Sequence, residues 1–161
     1  MEITIDEKRK TFTSEKYDVT IIEMKPTDGI KLDSFMEIDK DIYKDNFKEI
    51  FKNKSIYLLH YPKGAEICKS EEVMKNIGLD NYTVIHCCDS NNGSSGGPLI
   101  NLKNNKVIGI HKGYNDKKKI NLGTILREPI EKFYEQSNNN NNQINKDVNK
   151  NKEQKLNTNF K

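Results

Sequence analysis

One segment of the chain has the residue types that an acyl-transfer nucleophile requires. In Gly93–Pro98 (GSSGGP), glycines flank a pair of serines, and a proline leads into an apolar run. A serine nucleophile needs its hydroxyl on a tight turn, with nearby backbone N–H groups directed at the developing oxyanion. Glycine before the nucleophile lets the backbone curl so that the N–H groups of Gly93 and Ser95 point the same way. The segment predicts either a catalytic serine with its oxyanion hole or a plain loop between two strands.

A second enzyme class shares part of this pattern. Residues 93–97 also satisfy G-x-S-x-G, the nucleophile elbow of the α/β-hydrolases. That elbow leads from a strand into a helix, and its acid and histidine follow further along the chain. Here Pro98 leads into an apparent strand, and too little chain remains for the other two residues. The α/β-hydrolase interpretation is therefore disfavoured.

The same segment resembles the serine loop of the trypsin-like, chymotrypsin-fold peptidases, whose motif is G-D/N/S-S-G-G/S-P. Val107–Gly113 (VIGIHKG) resembles the strand that lines the substrate cleft of that family. Tyr17–Ile22 (YDVTII) resembles its orienting-aspartate segment, and Leu59–Gly64 (LHYPKG) resembles a G-Y-P-x-G turn early in its second barrel. The Gly-Ser-Ser variant and the Ile-Gly-Ile-His strand look most like the glutamyl endopeptidases and the intracellular trypsin-like branch. The resemblance extends from about residue 13 to residue 135.

The resemblance implies roles for particular residues. Ser95 would be the nucleophile of an endopeptidase that cleaves peptide bonds through an acyl-enzyme. The N–H groups of Gly93 and Ser95 would bind the oxyanion. Asp18 would orient the catalytic histidine and stabilise its imidazolium form, with an ordinary surface aspartate before a strand as the alternative. The implied substrate is a peptide or a protein, and the chemistry needs no cofactor.

The general base that this family requires is missing from the sequence. The family order is His, Asp, Ser, but seventeen residues precede Asp18 and none is a histidine. The resemblance places His60, His86 and His111 in the second barrel instead. We therefore interpret the sequence as N-terminally truncated and expect it to be inactive or weak alone, with the base supplied by a missing N-terminal segment or a partner chain. The alternative is a non-catalytic pseudopeptidase that holds an extended peptide along Lys112 and Gly113.

Two residues predict opposite substrate preferences. Asp89 lies six residues before Ser95, where trypsin-like enzymes have the floor of the primary specificity pocket, and a carboxylate there favours Lys or Arg. His111 occupies the strand position at which glutamyl endopeptidases hold a histidine that contacts an acidic side chain. We favour His111 and an acidic preference. Lys112 and Gly113 continue this strand and would contact the substrate backbone.

The elements that must position these residues are short and β-branched, and turn residues separate them. A hairpin is predicted around Lys103–Lys106, and a short helix at Glu128–Glu135, with Pro129 in its first turn. The pattern predicts an all-β, chymotrypsin-like double β-barrel with the first barrel incomplete and a short C-terminal helix. The predicted strands are Asp18–Met24, Ser55–Tyr61, Glu66–Cys68, Tyr82–Cys88, Pro98–Leu102, Val107–Ile110 and Ile120–Leu126.

The chain divides into a peptidase-like part and a tail. Residues 1–32 are predicted to be the end of the first barrel, 33–54 a connector with a helical turn or two, and 55–136 the second barrel and C-terminal helix. Residues 137–161 are rich in Asn and Lys, with too few apolar side chains to offset the entropy of ordering. We expect this tail to be disordered.

Charge and hydropathy argue against two classes of partner. The whole chain has a net charge of +3, and the tail alone has five Lys against Asp147 and Glu153. The rest of the chain is therefore neutral and has no basic excess for a nucleic-acid surface. No apolar run approaches the ~18 residues of a membrane span. We predict neither nucleic-acid nor membrane partners.

The three cysteines favour no site. Adjacent Cys87 and Cys88 point to opposite faces of a strand, and their spacing with Cys68 differs from that of structural zinc sites. No glycine turn surrounds them, as a cysteine nucleophile would require. We predict no metal site. An odd number of cysteines and an N-terminal region without an apolar signal core favour a cytoplasmic location.

Overall fold

The first strands of the described chain form a two-stranded antiparallel hairpin. The computed structural model describes residues 3–136. Strand β1 (Thr11–Ser14) pairs with strand β2 (Val19–Ile22). Asp18 is the last residue of the intervening turn and has a φ of 54°, a left-handed conformation that aspartate adopts more readily than most residues. The hairpin therefore presents Asp18 immediately before β2.

A connector of short helical turns joins the hairpin to a barrel. The Asp39 carboxylate is buried there and accepts hydrogen bonds from the side chains of Asn101 at 2.8 Å and Asn104 at 3.0 Å. Burial raises the pKa of Asp39, but these bonds and one from the N–H of Asp41 outweigh burial and lower it. The helical turns predicted for the connector are confirmed. They are Leu32–Ser34, Lys40–Tyr43 and the helix α1 (Phe47–Phe51), and Pro26–Asp28 forms a further turn before them.

Six antiparallel strands close into the barrel that carries the serine loop. Around the barrel they follow the order β3, β4, β5, β8, β7, β6, and β6 pairs again with β3. Closure leaves no strand of the barrel with a free edge. The strands are β3 (Ser55–His60), β4 (Cys68–Ile77), β5 (Thr83–His86), β6 (Pro98–Asn101), β7 (Val107–Asn115) and β8 (Ile120–Ile125).

The interior of the barrel is packed with aliphatic side chains, and Phe51 of α1 joins them. Burial of such a side chain contributes about 1.5–3 kcal/mol relative to exposure. The predicted hairpin of β6 and β7 is confirmed, with Leu99 opposite Gly109. This core makes the barrel a rigid support for the loops at its ends. Its fully buried members include Ile56, Leu58, Met74, Val84, Leu99, Ile100, Ile108 and Ile125.

Strand β4 is the largest difference between the predicted and the observed strands. The short strand predicted at Glu66–Cys68 is wrong, because the strand runs from Cys68 to Ile77. Within β4 only Met74 and Ile77 are buried, so neither an apolar run nor an alternating pattern marks it in the sequence. Pairing with β3 and β5 supplies its backbone hydrogen bonds. Tertiary pairing therefore forms a strand from a polar sequence.

Residues 127–136 form the C-terminal helix α2. Pro129 lies in its first turn, as predicted, and Ile130 packs against the barrel core. Arg127 donates a hydrogen bond to the carbonyl of Lys44 at 3.3 Å and thereby joins the helix to the connector. The all-β prediction with a short C-terminal helix is confirmed.

Parts of the predicted chain organisation stay predictions. The boundaries of the three peptidase-like parts and the cytoplasmic location have no structural test here. The Asn/Lys-rich tail at 137–161 lies outside the described residues. Between residues 3 and 136, no helix is long and apolar enough to cross a membrane.

Candidate active site

The serine loop joins β5 to β6 and lies against β7. The side chain of Ser95 is exposed, and its Oγ donates a hydrogen bond to the carbonyl of Lys112 at 3.1 Å. The N–H of Gly96 bonds to the carbonyl of His111, and the N–H of His111 bonds to the carbonyl of Gly97, both at 2.8 Å. These bonds hold Ser95 at the surface beside β7.

Gly93 is required by both its conformation and its surroundings. Its φ is +86°, and a Cβ there would lie 2.9 Å from the carbonyl oxygen of Tyr61 and 3.1 Å from the N of Gly64. Within residues 3–136, neither the N–H of Gly93 nor that of Ser95 forms a hydrogen bond. Both predicted oxyanion donors are therefore available to a ligand.

Ser95 opens onto a pocket of about 430 Å³. The pocket is lined by three of the four predicted substrate-binding residues, Asp89, His111 and Gly113. The fourth, Lys112, contributes the carbonyl that Ser95 contacts. The structure therefore brings the predicted nucleophile and the predicted specificity residues to one place.

Asp18 lies apart from this pocket. Its carboxylate is exposed, lines a separate pocket of about 200 Å³ within its own hairpin, and bonds to no other described side chain. The neighbouring Tyr17 fixes the hairpin to the barrel, because Thr124 Oγ1 donates to its carbonyl at 2.7 Å and its ring packs edge-on against Tyr82. The structure does not bring Asp18 and Ser95 into contact.

The three histidines are all buried at the same end of the barrel strands. His60, His86 and His111 are 5%, 0% and 2% exposed. His60 Nδ1 lies 2.8 Å from the hydroxyl of Ser94, and His86 Nε2 lies 3.1 Å from His111 Nδ1. None of them bonds to Ser95. Among residues 3–136, the serine that contacts a histidine is therefore Ser94, which is 1% exposed.

Solved structures of several serine proteases share this architecture. A serine endoprotease from Yersinia pestis matches with a TM-score of 0.59 and 15% identity, over 78% of this chain and 44% of that chain. The fold is chymotrypsin-like. The HtrA-type protease AlgW with a decapeptide matches with a TM-score of 0.54 and 16% identity, over 78% of this chain and 39% of that chain. A Glu endopeptidase in complex with MPD matches with a TM-score of 0.54 and 16% identity, over 77% of this chain and 56% of that chain.

The similarity shows the fold alone. The chain spans about half the length, or less, of the chymotrypsin-like chains it matches. No family model matches the sequence, and no curated protein matches it. The predicted glutamyl-endopeptidase branch and the predicted truncation stay predictions.

Burial keeps two of the histidines of this chymotrypsin-like barrel uncharged. Burial, with a smaller contribution from the neighbouring His111, lowers the pKa of His86 to about 3. Burial, with a smaller contribution from His60, lowers the pKa of His111 to about 4. Both rings are therefore neutral at pH 7. In the described part of the chain, the Nδ1 of His86 is the buried side-chain polar atom without a partner.

The sequence analysis missed two polar residues of the pocket. Ser90 Oγ donates to Asn121 Oδ1 at 2.5 Å, and Asn121 Nδ2 donates to the carbonyl of Cys88 at 2.9 Å. Both side chains line the pocket beside Ser95. The available signal was a lone amide at Asn121 in a mostly apolar strand. Its buried side chain holds the backbone just before Asp89.

The cysteines and the remaining acidic residues form no metal site in residues 3–136. Cys68 is exposed, Cys87 is half-buried and Cys88 is buried. Burial raises the pKa of the Cys88 thiol to about 12, so this thiol is protonated at neutral pH.

A larger pocket of about 630 Å³ lies between α1 and α2. Its basic side chains already have partners: Lys48 donates to the carbonyl of Gly78, and Arg127 and Lys132 form ion pairs with Glu131 and Glu135. None of the predicted site residues lines this larger pocket.

Proposed function

We propose that this chain carries the nucleophile side of a serine endopeptidase site, with Ser95 forming the acyl-enzyme. One observation carries the proposal: an exposed serine lies on a glycine turn with two unbonded N–H groups, at the mouth of a pocket lined by His111 and Gly113. Ser95 Oγ would bond to the scissile carbonyl carbon and pass its proton to a base. The C–N bond then breaks, and the amine leaves with that proton. The same base then takes a proton from water, which attacks the ester carbonyl. The ester C–O bond breaks, and the base returns the proton to Ser95 Oγ.

The base in this proposal comes from outside the given sequence. Ser95 Oγ donates to a backbone carbonyl, and the chain's three histidines bond to Ser94 or to each other. An upstream segment or a partner chain would supply the histidine. Asp18 supports this arrangement, because its exposed carboxylate has no other partner among the described residues and is free to orient an imidazole.

We also propose an acidic preference, as in glutamyl endopeptidases. The unpartnered Nδ1 of His86 costs less free energy as an unprotonated acceptor than as an N–H donor, since buried N–H groups without a partner are the rarer case. His86 then donates from Nε2 to His111 Nδ1, and His111 carries its own proton on Nε2, the nitrogen left for the pocket. A neutral N–H donor on the pocket wall favours a carboxylate oxygen. Asp89 is exposed and lines two adjacent pockets, which supports a place on the ridge between them.

A fluorophosphonate probe tests the nucleophile. The purified chain is labelled with and without imidazole as an added base, and the labelled residue is located by mass spectrometry. We expect imidazole-dependent labelling of Ser95, because the oxyanion hole and binding alone retain roughly 10³–10⁴-fold catalysis over water. Labelling should be lost in Ser95→Ala and kept in Ser34→Ala, an exposed serine of the connector. Absence of labelling, or equal labelling of Ser95→Ala, would contradict the proposal and favour a non-catalytic peptide-binding module.

Peptidyl phosphonates test the specificity. Probes with Glu or Lys at the position that enters the pocket are compared under the same conditions. We expect faster labelling by the Glu probe, a loss of this preference in His111→Ala, and its retention in Asp89→Ala. A Lys preference that disappears in Asp89→Ala would overturn the assignment to His111.

A further inference from the structure

The loop that presents Ser95 is pinned on both sides of Gly93. On one side, the carbonyl of Asn92 accepts a hydrogen bond from the N–H of Lys63 at 2.5 Å. On the other side, the hydroxyl of Ser94 lies 2.8 Å from His60 Nδ1. Both partners belong to the end of β3 and the turn that follows it. The peptide N–H of Gly93 therefore lies between two anchors on one neighbouring segment.

The His60–Ser94 contact is buried and is part of a small network. Ser94 Oγ also accepts a hydrogen bond from the N–H of Asn91 at 2.9 Å. The N–H of Ser94 bonds to the carbonyl of Asn91 at 3.0 Å, and its carbonyl accepts from the N–H of Gly97 at 3.1 Å. A buried side chain thus connects β3 to a turn whose own hydrogen bonds enclose Ser95.

His60 and Ser94 can form their hydrogen bond in either tautomer of the histidine. If His60 carries its proton on Nδ1, it donates to Ser94 Oγ. If it carries the proton on Nε2, the Ser94 hydroxyl donates to Nδ1 and still accepts from Asn91. A leucine at position 60 can do neither, and the buried hydroxyl then loses a partner that water does not replace.

The space around Gly93 makes the position of this segment critical. The Cα of Gly93 lies so close to the turn after β3 that even a methyl group on it would meet the carbonyl of Tyr61. A small displacement of the loop relative to the turn would rotate the Gly93 peptide. The direction of its N–H then depends on what fixes position 94.

We propose that His60 is a positioning residue for the oxyanion hole, acting through the buried Ser94 hydroxyl on the Gly93 and Ser95 N–H groups. This inference rests on the proposed function of Ser95. His60 touches neither Ser95 nor the pocket beside it, so its effect is on geometry rather than on proton transfer. Residues 60–64 resemble a G-Y-P-x-G turn whose first position is glycine. The contact with Ser94 therefore depends on the histidine that this chain has at position 60.

The first test measures the rate at which the fluorophosphonate labels Ser95, with imidazole present. In His60→Leu we expect labelling to slow roughly tenfold, less than the ~10²–10³-fold loss on deleting an oxyanion donor, since the donor is displaced rather than removed. His60→Asn places an amide near the position of Nδ1 and should restore most of the rate. Asn101→Ala is the matched control, because it removes a buried hydrogen bond to Asp39 at 2.8 Å without touching the loop. It should lower the melting temperature and leave labelling unchanged.

The second test is independent of catalysis. Amide hydrogen exchange is followed at Ser94 and Gly97, whose N–H groups bond within the turn. We expect faster exchange there in His60→Leu and Ser94→Ala, and wild-type exchange in Asn101→Ala. Wild-type exchange in His60→Leu, or labelling of this variant at the wild-type rate, would overturn the positioning role. If wild-type Ser95 is not labelled but exchange rises in His60→Leu, the proposed function fails while the anchoring of the loop is supported.

Discussion

The serine loop and the Asp18 hairpin hold their candidate residues in different ways. The serine loop joins two strands of a closed barrel, and hydrogen bonds fix it to β7 and to the turn after β3. In the hairpin, each strand pairs only with the other within residues 3–136, and the Asp18 carboxylate has no bonded partner there. The proposed nucleophile is thus positioned by its own barrel. The proposed acid is carried by an element that the barrel holds through the neighbouring residue.

The serine loop and the Asp18 hairpin are therefore stabilised by separate sets of contacts. A two-stranded hairpin is marginal in water, and here Tyr17 anchors it to β8 while Arg9 pairs with Asp28 at its far end. The barrel has a complete core of its own. Changes to one side should therefore leave the other side intact, and each prediction below tests that independence.

The largest effect is expected from Gly93→Ala in the serine loop. A Cβ there meets the carbonyl of Tyr61 at 2.9 Å, and a φ of +86° disfavours any side chain, so the Gly93 peptide must shift. We expect Ser95 labelling to fall ~10²–10³-fold, the loss seen for a missing oxyanion donor. Gly29→Ala is the counterpart beside the hairpin, because its φ is +71° with open space around it. It should cost roughly 1 kcal/mol of stability and leave labelling unchanged. Equal labelling of the two variants would show that the crowding at Gly93 has no effect on the site.

The next effect is on stability at mildly acidic pH. The folded-state pKa values of His86 and His111, about 3 and about 4, lie below the unfolded value of 6.5. The unfolded state therefore binds more protons between these values, and the barrel loses stability as the pH falls from about 6.5 to about 4, by several kcal/mol for the two histidines together. Urea unfolding at several pH values measures this loss. His86→Phe should flatten the dependence, and an unchanged slope in that variant would assign it to other groups.

The hairpin should not lose stability over the same pH range. The hydrogen bonds from Arg9 lower the pKa of Asp28 to about 2, so its contribution is complete above the unfolded value of 3.8 and is lost only as the pH falls towards 2. Amide exchange in residues 11–22 should therefore stay constant between pH 6.5 and 4.5 after correction for the intrinsic rate. A rise in hairpin exchange that follows the barrel would show that the two regions unfold together.

A smaller effect is expected from Thr124→Val at the junction of the two regions. The variant removes the buried hydrogen bond from Thr124 Oγ1 to the carbonyl of Tyr17 and leaves that carbonyl without its partner, at a cost of about 1–3 kcal/mol. Faster amide exchange should be confined to the hairpin, with Ser95 labelling unchanged. Slower labelling in Thr124→Val would mean that the hairpin supports the nucleophile as well as the acid.

The smallest effect is expected from Asp18→Asn. Its exposed carboxylate bonds to no described residue, so the free energy of unfolding should change by no more than about 0.5 kcal/mol. Thermal unfolding measures this change. Labelling of Ser95 in the presence of imidazole should also be unchanged. Once a histidine-bearing segment is added, the same substitution should slow catalysis by roughly 10⁴, as in the worked serine triad. A defect in the chain alone would place Asp18 in a structural role.

The accuracy of the sequence analysis varied with the range of the interactions involved. The β6–β7 hairpin and the first turn of α2 were predicted correctly, because turn residues and Pro129 act on their immediate neighbours. Strand β4 was misplaced, because its residues face solvent and its pairing partners come from β3 and β5. Periodicity reports burial, so a strand with two buried residues leaves almost no signal.

The features of the candidate site also differ in whether they depend on local or on long-range interactions. The glycine turn around Ser95 follows from the sequence, since positive φ at Gly93 and Gly96 is a local property of residues without a Cβ. The contact between His60 and Ser94, 34 positions apart, follows from strand pairing and barrel closure. So do the pairing of His86 with His111 and the place of Asp89 at the pocket that His111 lines. Chain neighbours set the shape of a turn, whereas register decides which distant side chains share a buried space, and no short stretch of residues records that register.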